Sequence, residues 1–227
     1  MAIPAAHVRL YEEIFGLAGV LREPVLVFGY QEVRVVPGDD APVEYAECDN
    51  LVELLARRGL HEVEVLDLYD ARATLRYDMN RPVPASEHER FATLIDIGCL
   101  EHVFDTRQCL ENCLGMIRVG GSYVLQTPVN GYFAHGFHVF SPEALLLAFE
   151  LNGFDLVHKA YTTAGGEDVD DPAESADVLV WLVARKREAV PAFVVPQQSY
   201  WESYYREPDR PRRALIQERY WRDVSRL

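Results

Sequence analysis

A Glu-His pair and two further histidines are the side chains of this sequence best suited to acid–base chemistry. Glu101 and His102 follow the apolar run FATLIDIG, and His135 and His138 lie three residues apart in AHGFHVF. A histidine in a turn can serve as a base or orient a substrate, although Glu101-His102 could equally begin a helix and bond only to backbone. Zinc sites use histidines at such spacing, but no clear third ligand accompanies His135 and His138. We therefore expect no metal, and either a substrate-facing or a structural role for these two histidines.

Two aspartates stand at the ends of successive predicted strands. Asp67 closes the run EVEVL, and Asp78 follows ATLRY. A carboxylate at the end of the second strand suits a ribose diol, because it can accept hydrogen bonds from both hydroxyls. A single aspartate at a strand end is more often a turn residue. Two of them at this spacing favour a ligand site, in which Asp67 would hold the ribose.

Alternating strands and helices must position these residues. Apolar runs without strict alternation are typical of strands buried on both faces. Seven segments of the sequence are predicted as strands: PVLVFG, EVEVLDLYD, ATLRYDMN, FATLIDI, SYVLQTP, FDLVHKAYTT and DVLVWLVARK. Apolar residues at helical spacing predict helices over residues 7–21, 51–58 and 106–118, and Asn50 with Glu53 forms a capping-box pattern before the second of these.

This order of elements predicts the fold class. Strands alternate with helices up to SYVLQTP, and the last two strands face each other across an acidic loop. We predict an α/β three-layer sandwich, with a Rossmann-like, seven-stranded, mostly parallel sheet whose last strand is antiparallel. Ligands of such a sheet bind beyond the carboxyl ends of its strands.

Composition narrows the class of protein. The 227 residues carry a net charge of −14, which argues against general nucleic-acid binding. No apolar run approaches the roughly 20 residues that span a bilayer, so we expect no membrane partner. Glu12 and Glu13 interrupt the N-terminal apolar pattern, which is untypical of a secretory signal. The four cysteines form no CxxC pair. We therefore expect structural cysteines and a reduced, cytoplasmic protein.

The C-terminal segment differs from the rest of the chain. We divide the sequence into a domain over residues 1–186 and an aromatic, basic extension over residues 187–227. From Arg185 onward, 10 Lys/Arg face 6 Asp/Glu, a local charge of +4. This tail either stays solvated or docks on the acidic body or on the second subunit of a homodimer. Its aromatic residues would anchor the tail or cover a substrate; they are Tyr200, Trp201, Tyr204 and Tyr205.

Five short motifs follow one another along the chain: the turn Leu100-Glu101-His102-Val103, the turn Ile117 to Gly121, the strand ending at Pro128, Phe140-Ser141-Pro142 before a helix, and Asn152-Gly153-Phe154. In their order and spacing, over about residues 24–186, the chain resembles class I S-adenosylmethionine-dependent methyltransferases. More narrowly, Gly29-Tyr30-Gln31, Asp78-Met79-Asn80 and the loop HGFHVFSP resemble methyltransferase-like proteins of sugar, polysaccharide and natural-product biosynthesis.

The resemblance implies a cofactor site and an acceptor site. S-adenosylmethionine would be contacted by three groups of residues: Gly29, Tyr30 and Gln31 at its methionine part, Asp67, Asp78 and Met79 at its ribose and adenine, and the backbone of Ile97 and Gly98 at its amino-acid end. His102, His135 and His138 would lie toward the acceptor. The small-molecule partner would then be a polar acceptor, such as a sugar, an aminosugar or a natural-product hydroxyl or amine.

Two functions follow as hypotheses. The first is methyl transfer from S-adenosylmethionine, with His102 or His135 as the base for an oxygen acceptor. The second is a protein of this fold that no longer methylates and serves as a binding or scaffold subunit, or uses its pocket for other chemistry. The first loop supports the second hypothesis, because Gly29-Tyr30-Gln31 has one glycine where the family has GxGxG, so that cofactor binding would be weak or lost. A nucleotide-binding oxidoreductase fits less well, since its glycine fingerprint is absent.

Overall fold

The computed structural model describes residues 2–173, 175–196, 208, 209, 211, 212 and 215, and its regular elements are both strands and helices. In order they are β1 (Ala2–Pro4), α1 (Val8–Gly16), β2 (Val25–Phe28), β3 (Glu32–Arg34), α2 (Val43–Ala46), α3 (Leu51–Arg57), β4 (Val63–Leu66), β5 (Phe91–Ile97), α4 (Thr106–Met116), β6 (Ile117–Asn130), α5 (Pro142–Leu151), β7 (Phe154–Thr163) and β8 (Val178–Lys186). None of the helices in these ranges has the length and apolar character needed to cross a membrane. The aromatic residues predicted to anchor the tail lie outside the described residues, and the domain boundary at residue 186 stays a prediction.

The main sheet has the strand order β4-β2-β5-β6-β8-β7. The pairs β2–β4, β2–β5 and β5–β6 are parallel, whereas β8 is antiparallel to both of its neighbours. A small parallel sheet of β1 and β3 lies apart from it. The predicted α/β, Rossmann-like, mostly parallel sheet with an antiparallel last strand is therefore confirmed.

The number of strands differs from the predicted seven, since the main sheet has six in the described residues. The segment ATLRYDMN makes only one isolated bridge, between Leu75 and Leu66. Thr74 explains the difference, because its Oγ1 accepts the hydrogen bond from the backbone N–H of Val65 at 2.9 Å. The Thr74 side chain thus takes the place of a backbone acceptor for Val65, so the pairing between this segment and β4 does not extend into a strand.

Two apolar clusters cover the two faces of the sheet. In β2, Leu26 and Phe28 point into the cluster that includes α4 and α5, whereas Val25 and Val27 point into the cluster that includes α1 and α3. Successive strand residues point to opposite faces, so a run with no polar position requires cover on both sides. This arrangement is the physical basis of the three-layer sandwich.

The first helix is shorter than the predicted range 7–21. A 3₁₀ turn over Ala5–His7 precedes α1, and α1 itself ends at Gly16. Leu17 has extended backbone angles, and Gly19 adopts a left-handed φ of 70°. The apolar spacing continues to Leu21, but the glycines end the helix before that pattern does.

The predicted cap of α3 is present. Asn50 Oδ1 accepts the backbone N–H of Glu53 at 3.0 Å, and the Glu53 carboxylate accepts the N–H of Asp49 at 2.9 Å. We expect Asn50→Ala to lower the free energy of unfolding by about 1 kcal/mol, since a helix donor then loses its partner. Urea denaturation measures this change. Asn50→Ser keeps a neutral capping oxygen and should retain most of the stability, and equal losses in the two variants would contradict the capping role.

Candidate functional site

A cavity of about 480 Å³ opens at the carboxyl ends of β2, β4 and β5. The chain places β4 on one side of β2 and later β5 on the other, so this edge is a topological switch point, where sheets of this class bind ligands. Fourteen residues line the cavity: Phe28, Gly29, Asp67, Leu68, Tyr69, Tyr77, Asp78, Met79, Asn80, Cys99, His102, Val103, Phe104 and Phe137. Its walls are largely aromatic and apolar, with two carboxylates among them.

Glycines form the turns directly after β2 and β5. Gly29 and Gly98 have left-handed φ values of 76° and 72°, which residues with a Cβ rarely adopt. The N–H of Gly29 donates to the carbonyl of Leu66 at 2.7 Å, and that of Gly98 to the carbonyl of Gln126 at 2.9 Å. Each turn is therefore fixed against the neighbouring strand, and Gly29 lines the cavity.

Asp67 joins two loops at the cavity wall. Its Oδ1 accepts the N–H groups of Tyr69 and Asp70 at 2.8 and 3.0 Å, and its Oδ2 accepts the N–H of Tyr30 at 3.4 Å. A carboxylate has about four lone-pair sites. Asp67 thus organises the turn after β4 and still has acceptor capacity for a ligand hydroxyl.

The turn at residues 78–80 forms a second wall. Asp78 Oδ1 accepts the backbone and side-chain N–H groups of Asn80 at 3.0 and 2.8 Å, and these hydrogen bonds lower the pKa of Asp78. Met79 is buried within the lining. Asn80 Oδ1 in turn accepts the N–H of Asp105, the residue that caps α4. The turn is thereby held against the start of α4.

Tyr30 and Gln31 are not among the cavity-lining residues. Gln31 is buried, and its Nε2 donates to the carbonyls of Phe28 and Ile97 at 3.2 and 3.0 Å. Tyr30 is half-buried, and the guanidinium of Arg72 lies 3.5 Å from its ring centroid. The side chain of Gln31 therefore connects the ends of β2 and β5.

Glu101 is buried beside the cavity, with 1% of the residue exposed. Its Oε2 accepts the hydroxyl of Thr127 at 2.9 Å. Burial raises the pKa of Glu101 to about 7, and the negative charge of Asp96 adds to this rise. A carboxyl group in this position changes its charge near neutral pH.

The structure brings His102 and His135 together above Glu101. Their ring centroids are 5.0 Å apart, and Nε2 of His135 lies 3.8 Å from Oε1 of Glu101. Burial lowers the pKa of His102, and the neighbouring His135 lowers it further. His138 is oriented differently, because its Nε2 lies 3.1 Å from the carbonyl oxygen of Phe104 and its ring stacks on Phe140. Three of the four predicted acid–base residues thus form one cluster.

Asp96 is a buried carboxyl group that the sequence reasoning missed. It is fully buried in β5, where Oδ1 accepts the N–H of Cys99 at 2.9 Å and Oδ2 accepts the hydroxyl of Tyr123 at 2.9 Å. Burial raises its pKa to about 6, although both hydrogen bonds oppose the rise. An aspartate inside the apolar run FATLIDI was the available signal, because a buried carboxyl group requires partners.

All four cysteines are buried and free of disulfides. Cys99 lines the cavity, and its Sγ donates to the carbonyl of Phe28 at 2.7 Å. Burial raises the pKa of this thiol well above its ordinary value. Because the thiolate is the reactive form, Cys99 has the properties of a structural residue, as predicted.

Comparison with known proteins supports the fold. No protein-family model and no curated protein sequence matches this chain. An S-adenosylmethionine-dependent methyltransferase from Mesorhizobium loti is 15% identical over 79% of this chain and 97% of its own, with a TM-score of 0.51. Another, from Archaeoglobus fulgidus, is 15% identical over 80% of this chain and 92% of its own, with a TM-score of 0.50. At this level of identity the likeness concerns the fold, so the chain has the fold found in S-adenosylmethionine-dependent methyltransferases.

Proposed function

We propose that this protein transfers the methyl group of S-adenosylmethionine to a small polar acceptor. The observation that carries the proposal is the cavity at the switch point, with Asp67 in its wall and the cluster of Glu101, His102 and His135 beside it. Methyl transfer needs one place for the nucleoside of the cofactor and another for the acceptor. The acceptor would be a hydroxyl or amine of the kind found in sugars, aminosugars and natural products.

The cofactor would occupy the cavity. Asp67 would accept a ribose hydroxyl through the remaining lone pair of Oδ2, and the adenine would lie against Met79 and Asp78, between apolar and aromatic walls. The methionine end would approach the turns at Gly29 and Gly98, where the absence of a side chain lets a ligand come near the backbone. The cavity volume of about 480 Å³ is in the range of small-molecule sites.

The acceptor would be held by the cluster. Transfer is an in-line displacement, in which the acceptor oxygen or nitrogen bonds to the methyl carbon while the sulfur takes the electron pair of the broken S–C bond. The acceptor also loses a proton, which the cluster or solvent takes up. The contribution of the protein is mainly alignment of the acceptor with the sulfonium methyl.

Calorimetric titration with S-adenosylmethionine and S-adenosylhomocysteine tests the cofactor part of this proposal. We expect micromolar dissociation constants for the wild type. In Asp67→Asn, which keeps Oδ1 for the turn but loses the charge, binding should be about 10- to 100-fold weaker, because charge-assisted hydrogen bonds contribute about 1.5–3 kcal/mol.

Asp155→Asn is the matched control. Asp155 lies at the start of β7, at the opposite edge of the sheet, and should leave the affinity unchanged. Absence of binding to the folded wild-type protein would overturn methyl transfer. It would instead favour the alternative, a protein of this fold that acts as a binding or scaffold subunit.

A further inference from the structure

Glu101, His102 and His135 offer three metal-ligating atoms in one place. Glu101 and His102 lie on the 3₁₀ turn that follows β5, whereas His135 comes from the loop between β6 and α5. One carboxylate oxygen and one nitrogen from each imidazole all lie within 4.8 Å of one another. In the sequence no clear third ligand accompanied His135 and His138. The fold instead brings His135 to Glu101 and His102, which come from a different part of the chain.

The loop is held in a position that keeps His135 over the carboxylate. The backbone carbonyl of Glu101 accepts the N–H groups of Phe137 and His138 at 2.9 and 3.2 Å. A Cβ on Gly136 would lie 2.9 Å from that same carbonyl oxygen, so the chain passes too close for a side chain. The backbone conformation of the loop therefore holds His135 close to Glu101.

The carboxylate is oriented and desolvated. Thr127, itself fully buried, donates its hydroxyl to Oε2 of Glu101, and Oε1 faces His135. Metal-binding carboxylates have such outer hydrogen bonds, which fix their direction. Among the residues that the structure describes, Glu101 forms an ion pair with His135 and with no Lys or Arg. A buried carboxylate without a permanent cationic partner is suited to a bound cation.

We propose that Glu101, His102 and His135 bind a divalent transition-metal ion, with Zn²⁺ as the best match. Two imidazoles and one carboxylate, with an open position for water or substrate, are a ligand set of catalytic zinc. Ligand atoms around a tetrahedral Zn²⁺ are roughly 3.4 Å apart, given bonds of about 2.1 Å. Nε2 of His135 lies 3.8 Å from Oε1 of Glu101, and its side chain is 48% exposed, so a modest change in the orientation of the ring would be needed to reach this spacing.

The open position would face the cavity, since His102 also belongs to its lining. An acceptor hydroxyl bound there would have its pKa lowered by the ion, so that it could lose its proton to solvent before it attacks the methyl group. This use of the ion depends on the proposed methyl transfer. The binding of the ion does not, and its test needs no S-adenosylmethionine.

Titration of the full chain with Co²⁺, which reports its ligands through visible absorption, tests the site. We expect one Co²⁺ to bind per chain, with intense visible bands that indicate a low coordination number. Zn²⁺ should displace the Co²⁺, and calorimetry measures this displacement. His135→Ala and Glu101→Gln should weaken binding at least 100-fold. Thr127→Val, which removes only the outer hydrogen bond, should weaken it about 10- to 100-fold.

His61→Ala is the control, because His61 is an exposed histidine before β4 and should leave the affinity within twofold. His135 is on the surface, so its replacement tests the site even where the buried Glu101 variant fails to fold. Absence of Co²⁺ binding, or equal affinity in His135→Ala and wild type, would overturn the proposal. Because nucleoside binding is measured separately at Asp67, failure of either proposal can be told from failure of the other.

Discussion

Asp96→Asn should raise the free energy of unfolding by about 3 kcal/mol at pH 7.5 and change it little at pH 4. Asp96 is fully buried, and burial raises its pKa from 3.8 to about 6. The folded protein therefore binds this proton more tightly than the unfolded chain does. The contribution of Asp96 to stability is complete below pH 3.8 and is lost as the pH rises to about 6.

Asparagine suits this position because it is nearly isosteric. Its Oδ1 can still accept the N–H of Cys99, and its amide can donate to the hydroxyl oxygen of Tyr123, which now donates to Asp96. The main change is then the removal of a buried negative charge. Urea denaturation of both proteins at several pH values between 4 and 8 measures the difference.

Asp78→Asn is a control of opposite sign. Hydrogen bonds from Asn80 lower the pKa of Asp78, so its carboxylate contributes stability that is present above its ordinary pKa and lost in acid. Replacing it should remove stability at neutral pH. If Asp96→Asn and wild type had parallel pH profiles, Asp96 would titrate in the folded protein as it does in the unfolded chain.

The central elements of the fold could be predicted because each depends on local physics. The run FATLIDI has no polar face, so it requires cover on both sides, and β5 is buried along its whole length. Asn50 and Glu53 act within one helical turn, and their hydrogen bonds are present. The missing third strand could not be foreseen, because it depends on Thr74 competing with the backbone for Val65.

Some residues of the candidate site could likewise be predicted from the sequence, whereas others could not. Gly29 and Asp67 could be assigned to one edge because parallel strands end on the same side of a sheet, and both line the cavity. Asp78 lines it as well, although the segment before it forms no strand of the sheet. The meeting of His135 with Glu101 could not be predicted, since 34 positions along the chain separate them. It depends on the path of a loop that hydrogen bonds to the Glu101 carbonyl fix in place.

Gln31 is the residue for which sequence and geometry suggest different roles. By resemblance to methyltransferases it would contact the methionine part of the cofactor. In the structure its amide donates to the carbonyls of Phe28 and Ile97, at the ends of two adjacent strands. A glutamine in the first loop thus fixes the backbone at the ends of these two strands.

Gln31→Ala should therefore lower the free energy of unfolding by about 3 kcal/mol, because buried carbonyls lose a donor and a cavity remains. Gln31→Met keeps the volume, so a loss of about 2 kcal/mol would isolate the hydrogen bonds. If the amide acts only on the backbone, the folded Gln31→Met protein should bind S-adenosylhomocysteine within threefold of wild type. A tenfold loss of affinity with unchanged stability would instead place the amide against the ligand, which would make the single-glycine loop a binding element in its own right.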